Sequence, residues 1–412
     1  MPGTHNTVLF YKGTVKFCVL PIWIDYIVFN DGKVEKKQFA MIGLKDIERD
    51  VHIIHPISEF IIENYGRTEY NTQRQHAKNV VNFLNYLLDN RRTLKLNSIL
   101  ELDISHAEYF LNNLTSDRRK RSTVKMAERS LTHFYRWLSN IDEIQNITND
   151  LFVKKEGYRS IYYYESPFNN VIYPTAKANK LEHTLPFSYI PLLIEVAIQV
   201  AKPIALGLYF QLFGGLRVSE VVNVKRTQAS RRINNGDFIL ILENQNFRPD
   251  LKGSSSVKKK RTQRVFTIKN WGNVLYRDHI RLYKPTDGSN ALFVNRDGKA
   301  MSENSYRQYF NKVKKKFIEQ LEVYGDIEQK LLAQHLKNMK WSTHIGRGTF
   351  TNMVAEHAAN PYEVSFPRGD SGVESALTYI ATTERMRKKL EQKFSDMHNE
   401  YIPRLMGREE GE

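Results

Sequence analysis

Polar and apolar positions change their period several times along this chain, and each change marks a different kind of element. Residues 1–54 read as a strand-rich segment. Thr14-Val15-Lys16-Phe17-Cys18-Val19-Leu20 and Ile24-Asp25-Tyr26-Ile27-Val28-Phe29 are short runs of β-branched and aromatic residues, and Asn30-Asp31-Gly32 behind them predicts a turn. Residues 55–147 switch to helical spacing. Val80, Phe83, Leu84, Leu87 and Leu88 fall on one face, and Thr72-Gln73-Arg74-Gln75 ahead of them reads as a capping box. Ser122-Thr123 opens a second helix, whose Val124, Ala127, Leu131, Phe134, Tyr135 and Leu138 again share a face.

Between residues 148 and 183 no period holds. Tyr162-Tyr163-Tyr164, Pro167, Pro174 and scattered lysines predict an interdomain linker, long enough for part of it to pack on one domain. Residues 184–412 are mostly helical. Pro203 suits the first turn of a helix, because its missing N–H is one that no first turn satisfies; Gly214-Gly215 ends that helix and Arg217 starts another. Phe238-Ile239-Leu240-Ile241-Leu242 has the run of a buried strand, and Arg264-Val265-Phe266-Thr267-Ile268 is its expected partner. Thr382-Thr383-Glu384 introduces a last, charged helix with Met386, Leu390, Phe394 and Met397 at helical spacing. The expected class is mainly α with small β elements.

Composition narrows the function. Lys and Arg number 61 against 45 Asp and Glu, a formal charge of +16 that favours a polyanionic partner. A chain of 412 residues supports two to three domains. The single cysteine, Cys18, leaves no disulfide framework and no Cys-based zinc site, which fits a reducing cytoplasm. No signal peptide and no apolar run of membrane-spanning length are present, so no membrane partner is expected. The 12 histidines show no HExxH-like pairing, and His335, His344 and His357 are too far apart for one helical metal face, so neither a metal nor a cofactor is expected.

The candidate chemistry lies in three short stretches. They are Gly214-Gly215-Leu216-Arg217-Val218-Ser219-Glu220, Thr343-His344-Ile345-Gly346-Arg347, and Thr378-Tyr379-Ile380, with Tyr379 thirty-two residues beyond Arg347. Two arginines, a histidine and a tyrosine are a set for cutting a phosphodiester without a metal. A guanidinium stays protonated and binds two phosphate oxygens at once. A phenol has a reference pKa near 10, so ionising it at neutral pH costs about 4 kcal/mol. Cationic donors fixed where charge develops offset that cost, each by roughly 3 kcal/mol. A covalent phosphotyrosine then conserves the bond energy for religation.

These residues resemble the tyrosine recombinases, which include phage and transposon integrases and the Xer resolvases. Gly215 to Glu220 matches the family's first box, which implies Arg217 as the first catalytic arginine and Glu220 as its supporting acid. His344 and Arg347 match the second box, and the spacing of Tyr379 matches the nucleophile, with Tyr362 and Tyr401 as rivals. Nine residues before Tyr379 the family carries His or Trp; here Asp370 stands in Gly369-Asp370-Ser371. A carboxylate there would repel a phosphate, so the expected role of Asp370 is to orient a cation, Arg347 or Arg368. The family's general acid is a lysine on a β-hairpin. Arg248-Pro249-Asp250-Leu251-Lys252-Gly253 makes Lys252 the first choice, Lys258, Lys259 and Lys260 compete, and Lys258 to Arg261 reads otherwise as a run that holds DNA phosphates.

The resemblance further implies a helical core-binding domain over 55–147 and an α+β catalytic domain over 184–412, closing as a C-shaped clamp on double-stranded DNA. Arg118-Arg119-Lys120-Arg121, beside a helix N-terminus, would hold phosphates. Residues 1–54 would bind accessory DNA or pack as a small sheet on the next domain. A homotetramer on paired sites would exchange strands through a Holliday junction without ATP, for a mobile element in a bacterial, nucleoid-associated setting. The C-terminal helix would dock on a neighbouring protomer or on its own domain. A type IB topoisomerase and a non-catalytic DNA-binding descendant of a recombinase are the alternatives.

Overall fold

The strand and helix periods set out above resolve, in a computed structural model, into two units, residues 1–178 and 179–412. The structure describes residues 15–28, 34–141, 144, 146–157, 162–176, 182–229, 237–251, 257, 260–268 and 270–369. The architecture is mainly α with small antiparallel sheets.

In the first unit, β1 (Val15–Val28) pairs antiparallel with β2 (Val34–Asp46), and β3 (His52–Ile54) adds to the far side of β2. The two expected strands are thus one. β1 continues through Pro21 because it is an edge strand, where a missing N–H is tolerated, and the irregularity falls later, between Asp25 and Ile27. The expected Asn30-Asp31-Gly32 turn lies outside the described residues. Four helices follow: α1 (Ser58–Tyr65), α2 (Tyr70–Asn90), α3 (Ile104–Ser116) and α4 (Arg121–Leu138). Phe17, Ala40 and Ile42 of the sheet are buried in the same core as Phe60, Phe83, Leu84, Phe134 and Tyr135 of the helices.

The capping box expected at Thr72 is not formed. α2 begins earlier, with Glu69 as its N-cap, because Gln73 is drawn into the core. There its Oε1 accepts from the Ala40 N–H at 3.2 Å and its Nε2 donates to the Thr68 carbonyl at 3.0 Å. The helix that periodicity did not reveal, α3, carries its own capping box, with Asp103 accepting from the His106 N–H and His106 Nδ1 accepting from the Asp103 N–H. Much of the expected linker belongs to this unit. β4 (Lys154–Glu156) and β5 (Tyr162–Tyr164) form a hairpin, Phe168 is buried in the helical core, and the Tyr173 hydroxyl donates to Glu128 at 2.5 Å.

The second unit is built around α6 (Lys202–Gly214), whose residues from Ile204 to Gly214 are all buried, as expected of a helix apolar on every side. Pro203 sits in its first turn. α5 (Ile190–Val200) precedes it, and α7 (Val218–Val221) and α8 (Arg226–Ala229) follow. β6 (Phe238–Leu242) pairs with β7 (Arg261–Val265), in a register that sets Phe238 opposite Val265 and Leu242 opposite Arg261. The partner strand therefore starts three residues earlier than expected. Gln263 and Val265 supply its buried side, while the Phe266 N–H leaves the ladder for the Phe213 carbonyl at 3.0 Å. α9 (Trp271–Leu282), α10 (Glu303–Val323), α11 (Ile327–Asn338), α12 (His344–His357) and α13 (Pro361–Arg368) complete the described part.

Candidate active site

The site starts where α6 stops. Gly215 takes a left-handed conformation, φ +65°, and a Cβ there would lie 2.5 Å from the Phe350 ring, so only glycine fits. The turn delivers Arg217 to the N-cap of α7. Glu220, fully buried, accepts the Arg217 backbone N–H at 2.7 Å on Oε2 and the Arg217 guanidinium at 3.0 Å on Oε1. Arg261, at the start of β7, donates to the same carboxylate, Nη1 to Oε1 at 2.6 Å and Nη2 to Oε2 at 3.1 Å. Burial alone would raise the Glu220 pKa; hydrogen bonds and charge from Arg261, then from Arg217, hold it below the usual carboxylate value.

The second box reaches the same turn from α12. Arg347 is buried, donating from Nη1 to the Gly215 carbonyl at 2.5 Å and from Nη2 to the Arg368 carbonyl at 3.3 Å. It therefore clasps the end of α6 to the end of α13. His344 is the first residue of α12 and is exposed. Desolvation, then the nearby His183, Arg217, Arg307 and Arg347, lower its pKa, and its place at a helix N-terminus acts in the same sense. Both influences favour the neutral imidazole, which has one nitrogen to donate and one to accept.

α13 is eight residues long and ends in Gly369 at φ +64°. A Cβ on Gly369 would collide with the Arg261 side chain, and Gln263 Nε2 donates to the Pro367 carbonyl at 2.6 Å. The chain thus heads toward residues 370–412 from beside the Arg217, Glu220 and Arg261 cluster. Tyr362 lies in the first turn of α13, roughly 9 Å along the axis from Arg368. Tyr379, Tyr401, Asp370, Lys252, Lys258 and Lys259 lie outside the described residues. Lys260 is exposed and pairs with Glu243 at 2.7 Å. In the first unit Arg118, Arg119, Lys120 and Arg121 are all exposed, and the Arg121 guanidinium lies 5.2 Å over the Tyr173 ring.

Of the residues singled out in the sequence, the fold brings Arg217, Glu220, His344 and Arg347 together, and it adds Arg261 to them. That residue reads as the end of a phosphate-holding run, yet its side chain is only 8% exposed and committed to Glu220. The available signal was parity: Arg261, Gln263 and Val265 alternate along β7, and the latter two face inward. His183 and Arg307, both near His344, were missed as well. His183 lies in a strap held to α12 by the Leu185 N–H, which donates to Thr349 Oγ1 at 2.9 Å. Among the described residues no group of His, Cys, Asp and Glu could hold a metal ion, and no helix is long and apolar enough to cross a membrane.

With this geometry in view, the comparison with solved structures is informative. The chain is similar to the Tn1549 transposon integrase in complex with circular intermediate DNA, with a TM-score of 0.53 and 16% identity over 82% of this chain and 98% of that one. It is also similar to the XerH site-specific recombinase bound to palindromic difH substrate in a post-cleavage complex, with a TM-score of 0.51 and 15% identity over 79% and 81%. This is the tyrosine-recombinase fold. No family model matches the chain, and no curated protein matches it in sequence. Within the fold, Gly215 to Arg217 form the turn between α6 and α7, Glu220 lies in α7, and His344 and Arg347 open α12.

Proposed function

We propose that the protein is a tyrosine-type site-specific DNA recombinase that cuts and rejoins DNA through a 3′-phosphotyrosine, in the service of a mobile element. The observation that carries this reading is the convergence of Arg217, Glu220, His344 and Arg347 on the Gly215 turn from segments far apart in sequence. Tyr379 attacks the scissile phosphorus and expels a 5′ hydroxyl. Arg217 and Arg347 meet the charge on the phosphorane, and the neutral His344 donates to it. Lys252, or one of Lys258, Lys259 and Lys260, gives the leaving oxygen its proton. Asp370 orients Arg347 or Arg368.

DNA contact by the first unit is supported by its exposed cations. Arg74 and Lys78 on α2, and Lys125 and Arg129 on α4, are exposed beside Arg118 to Arg121. Asn79 of α2 donates to the Met126 carbonyl of α4 at 3.2 Å, so the two helices present their charges side by side. Both solved neighbours described above were captured with DNA. A homotetramer on paired sites is supported by an apolar hollow of about 400 Å³ in the second unit, lined by Phe213, Phe266, Ile268, Phe350, Met353 and Val354. Met386, Leu390, Phe394 and Met397, which lie outside the described residues, have the helical spacing of an apolar stripe that would fill it when contributed by a second copy, the alternative being the same chain. A bacterial, nucleoid-associated setting fits this role.

The test is a suicide substrate nicked next to the cleavage point. The wild-type chain is expected to form a covalent adduct and the Tyr379→Phe variant to bind without forming one. An adduct that survives Tyr379→Phe and vanishes with Tyr362→Phe or Tyr401→Phe would move the nucleophile. Relaxation of any supercoiled plasmid, with no joining of paired sites, would turn the reading toward a type IB topoisomerase.

A further inference from the structure

Glu220 takes four hydrogen bonds, two from Arg217 and two from Arg261, which matches the lone-pair capacity of a carboxylate. The two arginines are not equivalent. The Arg217 side chain is 26% exposed and can meet a ligand, whereas that of Arg261 is 8% exposed and turned to Glu220. We infer that Arg261 is a positioning residue of the phosphate clamp, fixing the orientation of Arg217 through Glu220, setting the net charge of the three-group cluster, and tying the clamp to the chain that leaves α13 at Gly369 for Tyr379. The inference rests on the function proposed above and extends it to a residue outside both sequence boxes.

The physical argument concerns charge. A single arginine beside a buried carboxylate is a neutral pair, and a neutral pair has little attraction for a phosphate. With Arg261 the three groups carry one net positive charge, and because Arg261 has turned away from solvent, that charge is expressed at Arg217. Removing Arg261 would leave half of the acceptor sites of Glu220 empty in a position that water does not reach. The carboxylate would then draw Arg217 inward. Such a shift costs on the order of a hundredfold in rate for a displacement near 1 Å. The second link is steric. Only glycine at 369 lets the backbone lie against the Arg261 stem, so a change at Arg261 is felt both at the phosphate clamp and at the start of the nucleophile's segment.

The experiment is single-turnover cleavage by the full chain on two substrates, one with a normal scissile phosphate and one with a methylphosphonate, which has no negative charge for an arginine to meet. On the normal substrate Arg261→Ala is expected to slow cleavage about a hundredfold with little change in DNA affinity. The double variant with Arg217→Ala should be no slower than Arg217→Ala alone, because both changes remove one device. On the methylphosphonate, both single variants should approach the wild-type rate. A slow Arg217→Ala with an Arg261→Ala that cleaves normally overturns the inference and leaves the proposed function standing. So does a loss in Arg261→Ala that multiplies with that of Arg217→Ala and persists on the methylphosphonate. An Arg217→Ala that cleaves normally overturns both. If Arg261→Ala fails to fold, Arg261→Lys, which keeps the charge but cannot bridge both oxygens, is judged by the same pattern.

Discussion

Arg347 shows how much one side chain is asked to do at this site. Its two terminal nitrogens each hold a backbone carbonyl, that of Gly215 and that of Arg368, so the guanidinium plane is set before any phosphate arrives. Lysine has a single donor centre and cannot span both carbonyls. Arg347→Lys is therefore expected to slow cleavage about a hundredfold, as for loss of one transition-state donor, with a smaller effect on binding. A defect confined to affinity, with normal cleavage at saturating protein, would count against the role. The hairpin lysines are separated by leaving-group chemistry. A 5′-bridging sulfur needs no general acid, so it should restore cleavage to the variant that lost one. Rescue is expected for Lys252→Ala and not for Lys260→Ala, whose ammonium is paired with Glu243; the reverse pattern would move the role along the loop. Arg217, Glu220, His344 and Arg347 were legible because their chemistry is written in short motifs. Arg261 was not, since it meets Glu220 only after β7 has paired with β6; alternation along β7 puts it on the inward side but does not name its partner.

At the scale of elements, the helical stripes were legible where burial is one-sided, as in α2 and α4, and the errors arose where one side chain overrode the local signal. Gln73 was read as part of a cap and serves instead to bind β2 to α2. The slip in β7 came from expecting the strand to run from Arg264 through Ile268, whereas the ladder starts at Arg261 and ends at Val265. The turn after α6 gives a test with an internal control. Gly215 and Gly288 both have positive φ, +65° and +74°, but a Cβ at 215 would strike Phe350 while one at 288 would meet nothing within 4 Å. Gly288→Ala should cost only the left-handed backbone term, roughly 1–2 kcal/mol. Gly215→Ala should cost that much plus the clash, and should also displace Arg217 and abolish cleavage. Calorimetric melting of the two variants measures the difference. Equal losses of stability would show that Phe350 yields and that the close approach is not what demands glycine.

For the whole molecule, composition anticipated more than one domain but not where residues 148–176 belong. That stretch is held by separate bonds, such as the Asn170 N–H to Glu108 and the Tyr173 hydroxyl to Glu128, and bonds of this kind leave no period to read. Each unit also buries a histidine that must stay neutral. Burial, reinforced by His133 and Arg129, lowers His76 to about 4, with its ring stacked on Tyr65 and its Nδ1 at 3.0 Å from Ser130 Oγ. Burial likewise lowers His279 to about 4, with its Nε2 at 3.0 Å from the Leu292 carbonyl. In the unfolded chain both titrate near 6.5. The folded state therefore binds fewer protons than the unfolded state between those values, and stability falls with acidification. Their contribution is fully present above pH 6.5 and is lost as the pH drops toward 4, by about 3 kcal/mol for each histidine. Melting temperature should accordingly fall from pH 7.5 to pH 5, and His76→Gln and His279→Gln should each lower stability at pH 7.5 while flattening that dependence. An unchanged slope in both variants would mean that carboxylates, not these imidazoles, set the acid sensitivity of the fold.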